Sequence, residues 1–220
     1  ETIHKTTLRF KPNTEIAIAK VAKGQASFYG VKLDNEQTVS PVENEGAIFE
    51  IGSITKIFTS TLLAQLVTEG SIKLNDAVHT FLGYEFNKGQ TLTFEELANH
   101  TSGLPRLPPS MFWKAVFGSS ENPYKDYDAQ ALERDLKERI KLKKKGKSRY
   151  SNMGAGLLAY TFEVLTGQTL ETLLQDRIFK PLNMSGSTIN RHSLNERLVP
   201  ALNNKGQSCS NWDFQALAGA

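Results

Sequence analysis

The apolar positions change period along the chain, and the changes mark the elements. Ile16, Ile18 and Val21, then Phe28, Tyr29, Val31 and Leu33, flank a Lys23-Gly24-Gln25 turn and predict a two-stranded hairpin over about 15–33. Residues 34–47 are polar and acidic, with Pro41 and Gly46, and read as a loop. From residue 53 the period becomes helical. Ile54, Ile57, Phe58, Leu62, Leu63, Leu66 and Val67 form one wide stripe over 53–69, with Ser53 at the N-cap place and Gly70 at the C′ place. Thr93-Phe94-Glu95-Glu96 reads as a capping box before a short helix ending at His100. Residues 105–125 hold four prolines and read as a long irregular loop. Asp128 caps a predicted helix to about Leu142, with Leu132, Leu136 and Ile140 on one face. An apolar helix over 153–166 stops at Gly167, and Thr169 opens another that ends before Pro181.

Composition narrows the class. Of 220 residues, 39% are hydrophobic and 22% charged, an ordinary globular mixture that argues against disorder and coiled coil. At ~150 residues per domain the length fits one large domain or two small ones sharing a core. No apolar run is long enough to span a bilayer. Cys209 is the single cysteine, so an intrachain disulfide is excluded and a cysteine-based zinc site is not expected. His4, His79, His100 and His192 lack metal-site spacing, and His100 reads as the close of a helix. No cofactor is expected. The net charge of +3 is too small to imply nucleic acid.

Two segments carry candidate chemistry. In Ser53-Ile54-Thr55-Lys56, a hydroxyl at a helix start lies near unpaired N–H groups, and an amine rises one turn on along the same face. A partly desolvated amine there would be neutral enough to take the serine proton. The plain alternative is a capping serine and a surface lysine. In Tyr150-Ser151-Asn152, a phenol serves as a base if positive charge lowers its pKa. Lys143, Lys144, Lys145, Lys147 and Arg149 precede it, and Lys56 can approach through the fold. The alternative is that Tyr150 packs and Asn152 caps the following helix.

Other motifs read as decoys. Gly154-Ala155-Gly156-Leu157-Leu158-Ala159 matches G-x-G-x-x-A but lacks the preceding apolar strand that a dinucleotide site needs. Its glycines are expected to permit close packing instead. Lys137–Arg149 holds eight Lys or Arg and one acid. A solvated face is its ordinary reading, and an anionic-polymer-binding surface is the rival one.

Taken in order, residues 49–70 (FEIGSITKIFTSTLLAQLVTEG), His100-Thr101-Ser102-Gly103-Leu104-Pro105, Tyr150-Ser151-Asn152 and Ile178-Phe179-Lys180-Pro181-Leu182-Asn183-Met184 resemble the serine β-lactamase and penicillin-binding protein superfamily. The series is most similar to the class C branch, with its β-lactamases, D-Ala-D-Ala carboxypeptidases and related esterases. The resemblance runs from about residue 15 to residue 189. It implies an α+β fold of the β-lactamase/transpeptidase type: a helical region over about 53–189 beside part of an antiparallel sheet. It implies that Ser53 is the acylated nucleophile, that Lys56 keeps the proton network in place, that Tyr150 is the general base, and that Asn152 binds the substrate amide. Which of Lys56 and Tyr150 takes the serine proton is left open. The Ser53 amide would supply half of an oxyanion hole. The implied substrate is a β-lactam, D-amino-acid peptide or ester, and the implied location is exported, periplasmic or at the cell envelope. A non-catalytic penicillin- or wall-peptide-binding member is the alternative.

The family's third motif, Lys-Thr-Gly or His-x-Gly on a late strand, has no match after Tyr150. Residues 1–220 are therefore expected to be the N-terminal part of one catalytic domain whose C-terminal strands are missing. Further polypeptide or a second copy would complete the sheet. Alone, as a monomer, such a chain is expected to be poorly soluble and nearly inactive.

Overall fold

The computed structural model describes residues 2–111, 122–191, 194 and 197–220, which fall into two compact units. One comprises the described residues of 1–50 and 191–211, the other those of 51–190 and 212–220.

The first unit is built on β1 (Glu15–Ala22) and β2 (Gln25–Leu33), which pair antiparallel from Glu15↔Lys32 to Ala22↔Gln25. The two-residue turn Lys23-Gly24 has φ of 52° and 75°. Positive φ at both central positions matches the twist of a tight hairpin, and glycine adopts it without a steric penalty. A third strand, β3 (Val39–Pro41), adds to β2 in the order β1-β2-β3. This corrects the reading of 34–47 as loop throughout. Proline donates no ladder hydrogen bond and is tolerated at a sheet edge, which is where Pro41 lies, opposite Val31. A short helix, α1 (Thr2–Thr7), and the small hairpin β4 (Ala201–Leu202) with β5 (Ser208–Cys209) complete this unit.

The second unit is helical. Its helices are α2 (Thr55–Thr68), α3 (Val78–Leu82), α4 (Phe94–Ala98), α5 (Ala129–Arg134), α6 (Asn152–Thr166) and α7 (Leu170–Leu174). The caps follow the sequence where it was most specific. Thr93 and Glu96 form both bonds of a capping box, Asp128 accepts from the Ala131 amide, and Thr169 accepts from the Thr172 amide. The helix from Asp128 ends at Ile140, not Leu142, because its last turn widens into a π-helical turn over Asp135–Arg139. Leu132, Leu136 and Ile140 are nevertheless all fully buried.

At the centre lies α6, buried along most of its length and packed on α2, α3, α4 and α7. Phe94 stacks on Phe162 with ring centroids 6.3 Å apart. The G-x-G-x-x-A segment lies inside α6 and not in a phosphate-binding loop. A Cβ on Gly156 would lie 2.8 Å from the Leu217 Cα, so this glycine lets the chain at 215–217 lie directly on the helix. The Thr59 hydroxyl donates to the Gly219 carbonyl (2.9 Å), tying the same segment to α2. The close packing expected of these glycines is present at Gly156, against a 3-10 turn (Gln215–Leu217), whereas a Cβ on Gly154 would make only ordinary contacts. Part of the predicted 105–125 loop, residues 112–121, lies outside the described residues; Pro109–Met111 forms a 3-10 turn.

Candidate active site

All four residues singled out from the sequence come together in the helical unit. Ser53 lies in a 3-10 turn, Gly52–Ile54, that leads into α2. It is not the N-cap. Ile54 holds that place, and no side chain caps the helix. The expected cap is therefore corrected: the tight turn moves the N-cap one residue on and leaves the Ser53 hydroxyl uncommitted to the backbone. Lys56, one turn on, donates from Nζ to Ser53 Oγ (3.2 Å) and to Asn152 Oδ1 (3.0 Å). The Tyr150 hydroxyl makes a direct hydrogen bond with Ser53 Oγ.

A parallel substitution of roles occurs at α6. Ser151, not Asn152, caps the helix: its hydroxyl accepts from the Gly154 amide (2.9 Å) and donates to the Pro105 carbonyl (2.6 Å). Both residue types are good caps, and the choice of Ser151 releases the Asn152 amide. That amide binds Lys56 through its oxygen and donates to the Tyr124 hydroxyl (3.3 Å) through its nitrogen.

Lys56 apart, the residues around Tyr150 were not singled out as site residues by the sequence. The His100 ring lies 4.8 Å from the Tyr150 ring, and Nδ1 of His100 accepts from the Ser151 amide (3.4 Å). His100 has φ of 58° just after α4, so it closes that helix as expected and also faces the site. Tyr124, 4% exposed, stacks on Phe214 at 4.4 Å. Lys56 Nζ and Arg106 Cζ lie 4.8 and 5.5 Å from the Tyr150 ring centre. The signal for His100 was its place in the HTSGLP segment. For Tyr124 and Arg106 there was none, because only tertiary packing brings them here.

Electrostatics follow from this arrangement. Burial alone pushes the Tyr150 phenol up, but Lys56 and Ser53 as hydrogen-bond partners, with the charges of Lys56 and Arg106, outweigh it and hold the pKa below its ordinary value. His100 is lowered, first by burial and then by the Lys56 charge. A neutral imidazole suits the acceptor role of its Nδ1.

Three of the eight basic residues of 137–149 make ion pairs, while Lys141, Lys143, Lys144, Lys147 and Arg149 are exposed. Lys137 pairs with Glu133, Arg139 with Asp135 (3.3 Å) and Lys145 with Glu96 (3.1 Å). Backbone bonds from Lys143, Gly146 and Arg149 to the carbonyls of Gly103, Thr101 and His100 strap this segment onto the stretch that carries His100.

At the start of the helical unit, then, one serine hydroxyl is in hydrogen-bond contact with a lysine amine and a tyrosine phenol. The family model described as Beta-lactamase matches residues 13–213, and the chain belongs to that family. Beta-lactamase-like protein 2 of Dictyostelium discoideum is 29% identical over 184 residues, covering 79% of this chain and 32% of its own. The D-alanyl-D-alanine-carboxypeptidase/endopeptidase AmpH of Escherichia coli K12 is 29% identical over 148 residues, 64% of this chain and 37% of its own. The chain thus spans about a third of the length of these curated relatives. Among solved structures, a beta-lactamase/D-alanine carboxypeptidase from Yersinia pestis matches with a TM-score of 0.72 at 22% identity, over 98% of this chain and 60% of that one. A class C beta-lactamase matches with a TM-score of 0.73 at 21% identity, over 99% and 60%. The fold is the β-lactamase/transpeptidase-like α+β arrangement, with its helical layer and a small antiparallel sheet. No helix among the described residues is long and apolar enough to cross a membrane.

Proposed function

We propose that this chain carries the nucleophile and proton-transfer groups of a serine hydrolase that acylates on Ser53 and then hydrolyses the acyl-enzyme. One observation carries the reading: Ser53 Oγ is in hydrogen-bond contact with both Lys56 Nζ and the Tyr150 hydroxyl. Lys56, Ser53 and Arg106 hold the phenol below its ordinary pKa, which favours its role as the base. In acylation Ser53 Oγ forms a bond to the substrate carbonyl carbon as its proton passes to the ionised Tyr150. The scissile C–N or C–O bond then breaks, and the same proton leaves with the amine or alcohol. In the second half water adds to the ester carbonyl carbon as Tyr150 takes its proton; the bond from that carbon to Ser53 Oγ then breaks, and Tyr150 returns the proton to Ser53 Oγ, releasing the acid and the ionised phenol. Lys56 holds Ser53 and Asn152 in register, and the Asn152 amide is the substrate's polar contact. The substrate is a β-lactam, D-amino-acid peptide or ester, and the whole protein is exported to the cell envelope.

Steady-state hydrolysis of nitrocefin, a D-Ala-D-Ala peptide and a p-nitrophenyl ester by the full-length protein tests this. Turnover of at least one substrate, lost in Ser53→Ala, is expected. Stoichiometric acylation without turnover would instead favour a penicillin-binding role, and turnover surviving in Ser53→Ala would overturn the proposal.

A further inference from the structure

We propose that Arg106 is a positioning residue that holds and polarises the Tyr150 phenol. The role rests on Tyr150 being the proton acceptor. The backbone fixes where this arginine stands. The first amides of a helix have no partner within it, and at α6 two of them, Asn152 and Met153, donate to the Arg106 carbonyl (3.0 and 3.3 Å). The Ser151 hydroxyl donates to the adjacent Pro105 carbonyl. Two successive peptide units are therefore clamped to the helix end that presents Tyr150 and Asn152.

From that anchor the guanidinium reaches over the Tyr150 ring, with Cζ 5.5 Å from its centre. This lies within the ~6 Å reach of a cation–π contact, and a planar, weakly hydrated guanidinium is suited to an aromatic face. Arg106 is exposed and has no carboxylate partner among the described residues. Among the described residues, the charged or titratable groups facing the phenol are Lys56 from α2, His100 from the segment after α4, and Arg106 from the loop before residue 112, beside the Ser53 hydroxyl it bonds. Lys56 is already bonded to Ser53 and Asn152. His100 is held toward its neutral form. Arg106 is thus the second cation bearing on Tyr150, and its charge favours the ionised phenol.

The test uses full-length protein with 13Cζ-labelled tyrosine, titrated by NMR beside the pH dependence of acylation by a penicillin or an activated ester. The variants are Arg106→Lys, Arg106→Gln and Tyr150→Phe, the last of which also assigns the resonance. Acylation should rise with pH as Tyr150 ionises. Arg106→Gln should move both the titration and this limb upward by about half a unit, so that acylation on the limb is about threefold slower while the alkaline plateau is kept. Arg106→Lys should lie between. An unmoved titration in Arg106→Gln, or the same fractional loss at every pH, overturns the role of Arg106. A limb that survives in Tyr150→Phe overturns the proton-acceptor reading beneath it. A limb lost in Tyr150→Phe with an unmoved Arg106→Gln titration removes Arg106 alone.

Discussion

Lys56 and Tyr150 meet at one oxygen, Ser53 Oγ, and this makes their contributions inseparable. Positioned proton transfer is worth typically ~10²–10⁴-fold, so Lys56→Met and Tyr150→Phe should each slow acylation by about 100-fold or more. Groups that serve one proton path lose less together than the product of their single losses. A stopped-flow comparison of both singles and the double should show this shortfall; strictly multiplicative losses would mean the two act separately. The residues of this network were legible in the sequence as types at a spacing: a hydroxyl and an amine three apart, and a phenol and an amide two apart. Their freedom was not. Whether Ser53 and Asn152 cap helices or face the site depends on a 3-10 turn before α2 and on the neighbouring Ser151, and capping preference ranks these residues too closely to decide.

At the scale of elements, α6 governs the site because it presents Asn152 at its start and takes the load of packing along its length. Its face at Gly156 meets Leu217 with no room for a side chain. Gly156→Val should force the 215–217 turn away, at the ~1–3 kcal/mol typical of overpacking. A fall of several degrees in thermal midpoint would show it; an unchanged midpoint would mean the turn is dispensable. The sequence disclosed this close approach only as a pair of glycines in an apolar helix. The long helices were equally clear, since Leu132, Leu136 and Ile140 keep the helical period through a change of winding. The third strand was hidden because Val39-Ser40-Pro41 is too short to show alternation and ends in a residue that breaks ladders. The hairpin was visible because its turn residues fit a two-residue loop.

For the molecule as a whole, Ser53, Lys56, His100, Arg106, Tyr124, Tyr150 and Asn152 all belong to the helical unit. That unit also carries a buried cost. Glu163 closes the gap between α6 and α7 by accepting from the Leu170 amide (2.6 Å), and burial raises its pKa despite that bond. A carboxyl raised in the folded state contributes stability that is present below the unfolded value of about 4.3 and lost as pH rises through the folded one. Glu163→Gln keeps the acceptor and removes the buried charge. Its thermal midpoint should exceed the wild type's at pH 7, with a smaller gain at pH 4; a lower midpoint at pH 7 would contradict this. The measurement that bears most directly on the central claim is peptide mapping after reaction of the full-length protein with a penicillin or an active phosphonate. The adduct should fall on the peptide containing residues 53–56 and vanish in Ser53→Ala, which remains folded. An adduct on another residue, or one that persists in Ser53→Ala, would contradict the account.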